Sequence, residues 1–196
     1  LKWVAIILMA VDHVGAGVLE NFVLNAWGRS PIGYHFAGQW EAIYGVDLLI
    51  RFIGRPAFPI FCFLLVEGFC HTHDVKKYAV RLGIFALVSE IPFDLALWNQ
   101  VPDWRYQNVF FTLLIGLLAL ALVRRYGTNM VLKVLILAAG AVLAELLHTD
   151  YGAFGVLFIG ILYLLRDNRK LQCAVGAACC LWELTAPLAF LLIWRY

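Results

Sequence analysis

Residues 46–69 read VDLLIRFIGRPAFPIFCFLLVEGF, an apolar stretch that is interrupted by few charges. A helix that crosses a bilayer needs about 20 mainly apolar residues, and this stretch is long enough. Arg51 and Arg55 lie four residues apart, so they share one face of the predicted helix. The stretch therefore predicts a membrane-spanning helix that carries two guanidinium groups at membrane depth.

The rest of the chain has the same apolar character. Of its 196 residues, 63% are hydrophobic and 14% are charged, and the mean hydropathy is +0.84, which excludes an ordinary soluble domain. Hydropathy predicts spans at 3–23, 46–69, 79–97, 108–124, 130–147, 151–165 and 171–194. We expect an all-α, polytopic membrane helix bundle of about seven or eight spans, with residues 1–196 forming a single domain. Glu183 and Pro187 interrupt the last stretch, which is either one kinked span or a short hairpin.

The first segment and the loops predict the topology. Residues 1–24 carry Asp12 and His13 in mid-segment and no small-residue cleavage site, so we expect a retained helix rather than a signal peptide. Basic residues follow the second, fourth and sixth spans, namely Lys76, Lys77, Arg81, Arg124, Arg125, Arg166, Arg169 and Lys170. These loops, and with them the N-terminus, are predicted to be cytoplasmic. The aromatic stretch 25–45 predicts an interfacial loop or a re-entrant segment.

Several classes of partner are excluded. The five cysteines include no CxxC pair and most lie in apolar runs, so we expect no disulfide framework. A net charge of +2 is too small and too dispersed for a nucleic-acid partner. The sequence HTHD at His71–Asp74 contains ligand-type residues but no third partner, so no metal is expected.

Charged residues inside the spans are the candidates for function, because a charge at the bilayer centre costs about 3 kcal/mol or more. Asp12 and His13 lie halfway along the first span, where they form either a structural hydrogen bond or a functional site. Arg51 and Arg55 bind either carboxylates in a structural network or a ligand's phosphates and carbonyls. Further candidates are Glu67, His71, Glu90, Asp94, Asn108 and Asp150. For Asp150 the structural alternative is a helix cap.

An ordered set of motifs covers most of the chain. It comprises AVDHVGA, RFIGRPAFPIFCFLLVEGFCHT, KYAVRLGIFALVSEIPFDL, NVFFTLLIGLL and DYGAFGVL, which begin at residues 10, 51, 77, 108 and 150. With these motifs the sequence resembles the TraX family of bacterial membrane proteins, named for the conjugation protein that acetylates the N-terminus of F-type pilin. The outer loop and the last segment match no motif of that family.

The resemblance implies a multi-pass protein of the bacterial cytoplasmic (inner) membrane that transfers an acyl group, most simply acetyl, from cytoplasmic acyl-CoA. The acceptor would be an amine or hydroxyl of a pilin-like N-terminus, a peptide, a lipid or a glycan. Acyl transfer needs a general base and oxyanion stabilisation. On this hypothesis His13 is the base, Asp12 orients either His13 or an arginine, and Arg51 and Arg55 hold the thioester or the carrier.

The remaining candidates would bind the co-substrate. Glu67 would order the inner mouth, and Lys76, Lys77 and Arg81 would attract the nucleotide end of acetyl-CoA or another acyl-CoA. Two other classes stay open. One is a small ion-coupled transporter, because buried charges also build proton relays, although the chain has no evident inverted repeat. The other is a non-catalytic membrane assembly factor.

Overall fold

A computed structural model of the chain describes residues 1–24, 39–98 and 105–196. These residues are almost entirely helical. The α-helices are α1 (Lys2–His13), α2 (Trp40–Gly54), α3 (Ala57–His71), α4 (Val75–Trp98), α5 (Val109–Tyr126), α6 (Met130–Leu146), α7 (Gly152–Leu164), α8 (Arg169–Cys179) and α9 (Ala189–Trp194). A π-helix, Val14–Leu24, continues α1, and two short 3-10 helices, Leu181–Glu183 and Ala186–Leu188, connect α8 to α9. The all-α prediction is confirmed.

Among the residues that the structure describes, three helical segments are long and apolar enough to cross a membrane, which indicates a multi-pass membrane protein. They are Lys2–Glu20, Trp40–His71 and Val109–Tyr126. Gly152–Leu164 is also apolar but shorter than a full crossing. Together α2 and α3 form the second of these segments, with Pro56 at the N-terminus of α3. The larger number of seven or eight spans stays a prediction.

The second segment begins earlier than the sequence predicts. It starts at Trp40 rather than near residue 46, and its first turns carry Trp40 and Tyr44, whose rings stack with centroids 5.3 Å apart. Aromatic side chains one helical turn apart lie on the same face and support the helix there. The rest of the predicted outer loop, residues 25–38, lies outside the described residues, so the alternative of a re-entrant segment stays untested.

Helix α3 lies at the centre of the packing, in contact with α1, α5, α7 and α9. Its buried aromatic residues Phe58, Phe63 and Phe69 belong to the main hydrophobic core. Between lipid-facing helices, association depends on close packing rather than on exclusion of water, so bulky side chains must interlock. This helix therefore fixes the positions of the elements that meet at each of its ends.

The last apolar segment is a short hairpin, which settles the alternative left open by the sequence. Arg169, at the start of α8, and Tyr196, after α9, both contact the ring of Phe63. The chain turns between them through the two 3-10 helices, where Leu184 has a φ of 51°. The turn of this C-terminal hairpin carries Glu183 to the opposite end of α3.

The two ends of α3 differ in character. Near His71 lie three arginines, Arg124, Arg166 and Arg169, and this group defines the basic end of the bundle. Near Arg55 lie the turns after α4 and α6 and the turn of the C-terminal hairpin, which define the cavity end. The predicted basic loops thus gather at one end of the protein, as the charge pattern requires.

Candidate functional site

A cavity of about 680 Å³ lies at the cavity end, between α1, the π-helix, α2 and α4. It is closed on its other side by the turn before α7 and by the turn of the C-terminal hairpin. The charged and hydroxyl-bearing residues that line it are Asp12, His13, Glu20, Arg51, Arg55, Tyr106, Asp150, Tyr151 and Glu183. The structure thus brings together five of the predicted site residues: Asp12, His13, Arg51, Arg55 and Asp150.

His13, the last residue of α1 before the π-helix begins, has a defined orientation. Its Nδ1 lies 2.9 Å from the carbonyl oxygen of Met9. A carbonyl only accepts hydrogen bonds, so Nδ1 must carry the proton, and in the neutral ring Nε2 then holds the lone pair. Since His13 lines the cavity, this tautomer suits a base or a hydrogen-bond acceptor. A backbone carbonyl, rather than Asp12, fixes it.

Asp12 pairs with Arg51. The guanidinium of Arg51 donates to the Asp12 carboxylate at 3.0 Å, and both side chains are partly buried. Gly54 makes this pair possible, because a Cβ at residue 54 would overlap Asp12. Of the two orientations considered for Asp12, the structure contains the one directed to arginine.

Arg55 pairs with a residue that is distant in sequence. Its guanidinium donates to Glu183 at 3.2 Å, with 5% of the Glu183 side chain exposed. Tyr151 lies close to this pair, and its ring stacks on Phe58. Each guanidinium has five N–H groups, so one carboxylate leaves others free for a ligand. Both arginines are therefore balanced in charge yet able to bind a carbonyl or phosphate oxygen.

Asp150 faces the cavity from the turn between α6 and α7. The Tyr106 hydroxyl donates to its carboxylate at 3.1 Å, and a short bridge between Gln107 and Thr149 holds the two loops together. Burial raises the pKa of Asp150, while the Tyr106 hydrogen bond and the nearby His13 act in the opposite direction. At the start of α7 the amide of Ala153 donates to Glu145 rather than to Asp150.

The backbone around this turn is strained. His148 and Tyr151 have φ values of 51° and 62°, a region that residues other than glycine rarely occupy. The Thr112 hydroxyl donates to the carbonyl of Asp150 and shares a 3.0 Å hydrogen bond with Thr149. Such strain persists only where surrounding contacts enforce it, and it concentrates at functional sites.

A second, smaller cavity of about 380 Å³ adjoins the first across Arg51 and Arg55. Its lining includes Trp40 and Tyr44 and the carboxylates of Glu20 and Asp47. Asp47 is 6% exposed, and its Oδ1 accepts no hydrogen bond from the described part of the chain. The two arginines therefore form a wall shared by both cavities.

Other predicted site residues lie at the basic end. Glu67 accepts from Arg169 at 3.3 Å, and its backbone carbonyl accepts from the Nδ1 of His71, whose side chain is 79% exposed. Glu67 is twelve residues from Arg55, which corresponds to about 18 Å of helix. Lys76, Lys77 and Arg81 are exposed on the first turns of α4. None of these five residues lines the main cavity.

Glu90, Asp94 and Asn108 lie beside the main cavity without lining it. The Asn108 side chain caps α5 by accepting from the amide of Phe110 at 2.9 Å, and its own amide donates to Glu90 and to the carbonyl of Ala86. This is the geometry of a helix cap held by a partly buried carboxylate. Asp94 is fully buried next to Phe93, which does line the cavity.

Among the charged and hydroxyl-bearing residues that line the cavity, sequence reasoning missed four: Glu20, Tyr106, Tyr151 and Glu183. Glu183 could have been found, because it is an acidic residue inside an apolar stretch, the criterion that selected Asp12. The two tyrosines carry no such signal. In the residues that the structure describes, no three His, Cys, Asp or Glu side chains are arranged to hold a metal ion.

Comparison with known protein families agrees with the resemblance that the five sequence motifs indicate. The family model described as TraX protein matches residues 1–194. The chain belongs to the TraX family. The match extends the quoted motifs through the C-terminal hairpin, which the sequence alone left unassigned.

This TraX-family chain is also similar to a protein named for fimbrial assembly. The probable fimbrial assembly protein FimC, serogroup H1, of Dichelobacter nodosus is 32% identical over 180 residues. The alignment covers 88% of this chain and 64% of that protein, so the chain spans less than two thirds of the relative's length. No solved structure matches the chain.

Proposed function

We propose that this TraX-family protein is a membrane-embedded acyltransferase. It moves an acyl group, most simply acetyl, from cytoplasmic acyl-CoA to an amine or hydroxyl of a membrane or extracytoplasmic acceptor. The observation that carries the proposal is His13, a histidine with an assigned tautomer in a cavity walled by two arginines. Family membership supports the same reaction, because the family takes its name from a pilin-acetylating protein.

His13 would act as the general base. Its Nε2 would take the proton from the acceptor as the acceptor's nitrogen or oxygen attacks the thioester carbonyl carbon. When the tetrahedral intermediate collapses, the carbon–sulfur bond breaks and the CoA thiolate takes up that proton. Asp150, which lies close enough to affect His13 electrostatically, would stabilise the imidazolium between the two steps.

The two arginines would stabilise the charge that develops on the thioester oxygen. Arg51 and Arg55 are held by Asp12 and Glu183, which fix the guanidinium planes before the substrate arrives. Donors that are oriented in advance need no reorganisation in the transition state, and one such donor contributes about 3 kcal/mol. Asp12 and Glu183 are then positioning residues.

The acceptor and the membrane orientation belong to the same proposal. The relative's printed name refers to fimbrial assembly, which supports a pilin-like acceptor. We place the basic end and the N-terminus in the cytoplasm of a bacterium and the cavity end toward the outer side of the inner membrane. Seven or eight spans would then make up the bundle.

The test is acyl transfer by purified protein in nanodiscs, followed with radiolabelled acetyl-CoA and pilin-like peptides. His13→Ala should reduce turnover at least a hundredfold, since a general base contributes about 10²–10⁴. Arg51→Ala should reduce turnover by a similar factor. Thr128→Ala, an exposed change far from the cavity, serves as the control. Full turnover by a well-folded His13→Ala protein would refute the assignment.

A non-catalytic assembly factor is the second candidate, and the name of the fimbrial relative favours it. Such a protein would hold a pilin-like subunit without consuming acyl-CoA. Co-purification of the subunit with wild-type and His13→Ala protein alike, with no turnover by either, would support the assembly factor and reject the enzyme.

A further inference from the structure

Two arginines at the basic end rest on aromatic rings that contact each other. The guanidinium carbon of Arg124 lies 4.3 Å from the ring centroid of Phe69, and that of Arg166 lies 4.3 Å from the ring centroid of Tyr163. The two rings meet edge to face with centroids 5.6 Å apart. Both guanidinium groups also act electrostatically on the thiol of Cys70. The two positive charges therefore lie around one pair of rings and close to Cys70, although they come from α5 and from the turn after α7.

These two charges lack the compensation that Arg51, Arg55 and Arg169 have. Arg124 has no carboxylate within ion-pair distance among the described residues, and the partner of Arg166 is Asp167, at 3.7 Å and 84% exposed. By contrast Arg169 binds both Glu67 and Gln172. An exposed ion pair contributes little, so Arg124 and Arg166 together present nearly two full positive charges to solvent.

We propose that Arg124 and Arg166, held on the rings of Phe69 and Tyr163, form a binding site for a phosphate group. Guanidinium groups bind phosphate oxygens through hydrogen bonds from their N–H groups, and a planar group that rests on a ring leaves its edges accessible. Arg166 donates one N–H to the carbonyl oxygen of Tyr163 at 2.9 Å, and its other N–H groups can bind a phosphate. Packing on the rings also lowers the conformational entropy that each long side chain loses on binding. The site requires exposure, and both arginines are exposed.

Two sources could supply this phosphate. One is the nucleotide end of acyl-CoA, a source that rests on the proposed function. Arg55, just before α3, and Glu67, two residues before Phe69, are about 18 Å apart along the helix, a distance comparable with an extended pantetheine arm. The other is the headgroup of an anionic lipid, since basic residues at helix ends meet the membrane surface. The sequence had assigned the nucleotide to Lys76, Lys77 and Arg81, whereas this site uses a different set of residues.

The test compares Arg124→Gln, Arg166→Gln and their combination with Arg125→Gln. Arg125 is the matched control, because it adjoins Arg124, is exposed, and rests on the ring of Tyr126 outside the pair. CoA and pantetheine binding would be measured by calorimetry in phosphatidylcholine nanodiscs. Each variant of the pair should weaken CoA binding about tenfold, the value of one charged hydrogen bond, while Arg125→Gln and all pantetheine affinities stay within about twofold.

A second arm tests the lipid source. Phosphatidylglycerol that co-purifies with the protein would be counted by native mass spectrometry, and its loss from the double variant alone would assign the site to lipid. Unchanged CoA affinity and unchanged lipid retention in a double variant with the wild-type melting midpoint would overturn the site. The outcome for the enzyme is separate. If CoA binding depends on Arg124 and Arg166 but the protein transfers no acyl group, the phosphate site is supported and the acyltransferase proposal is rejected.

Discussion

Glu183 places a carboxylate in the cavity wall with 5% of its side chain exposed. We predict that Glu183→Ala destabilises the protein by about 2 kcal/mol, because it leaves Arg55 without its partner in a partly buried setting. For a chain of this size that corresponds to a fall of about 6 °C in the melting midpoint. Asp167→Asn removes a carboxylate from an exposed pair and should change the midpoint by less than about 1 °C. Equal effects of the two substitutions would contradict the role of Glu183.

Asp150 predicts how stability depends on pH. In the unfolded state the pKa of Asp150 is near the usual value of about 3.9, and in the folded state burial raises it. Between the unfolded and the folded pKa, the folded state therefore binds more protons than the unfolded state. Its contribution to stability is therefore greatest below about pH 4 and is lost as the pH rises through the raised pKa. The difference in melting midpoint between wild type and Asp150→Asn should shift in favour of the variant as the pH rises from about 4 to 7. A difference that is constant with pH would refute the raised pKa.

Tyr106→Phe tests the pKa of Asp150 by removing a hydrogen bond to its carboxylate. The Tyr106 hydroxyl donates to Asp150 and stabilises its charged form, so its removal should raise the pKa of Asp150 further. The pH at which stability falls should then move upward relative to wild type, as measured by melting curves across the same pH range. Movement in the opposite direction would show that another group controls the titration.

At the scale of the helices, Gly54 controls how closely α2 approaches α1. A Cβ at residue 54 would overlap both the backbone and the side chain of Asp12. We predict that Gly54→Ala costs about 1–3 kcal/mol and disrupts the Asp12–Arg51 pair, so that acyl transfer falls as well. Gly45→Ala in the same helix meets nothing within 4 Å and should be neutral or stabilising by up to about 1 kcal/mol. Thermal melting and turnover of both variants provide the comparison.

The helices were predictable because each is a local feature. Apolar runs bounded by charges place α4, α5 and α6 within a few residues of their observed ends. The sequence also predicted that Asp12, His13, Arg51 and Arg55 belong to one site, since each of these ionisable residues interrupts an apolar run. The pairing of Arg55 with Glu183 was not, because it joins residues that are 128 positions apart and depends on the C-terminal hairpin. Hydropathy measures the length of an apolar segment and is insensitive to a turn inside it.

At the scale of the whole molecule, the two ends of the bundle predict opposite sides of the membrane. Thr128 precedes α6 near the basic end, whereas Leu147 follows α6 at the cavity end, and both are exposed. The 17 residues of α6 rise about 26 Å, close to the thickness of the hydrocarbon core. If α6 crosses the membrane, as a bundle of seven or eight spans requires, the two positions face different compartments.

Thiol labelling of vesicles tests this arrangement. Thr128→Cys and Lys170→Cys, each in a Cys70→Ser background that removes the exposed native thiol, should react with an impermeant maleimide only in inside-out vesicles. Leu147→Cys should react only in right-side-out vesicles, and the Cys70→Ser protein without further change is the blank. Because Thr128 and Leu147 flank α6 and Lys170 lies in the first turn of α8, a change of orientation would reverse every result together. Labelling of Thr128→Cys and Leu147→Cys from the same side would instead show that α6 does not cross, and the predicted number of spans would fall.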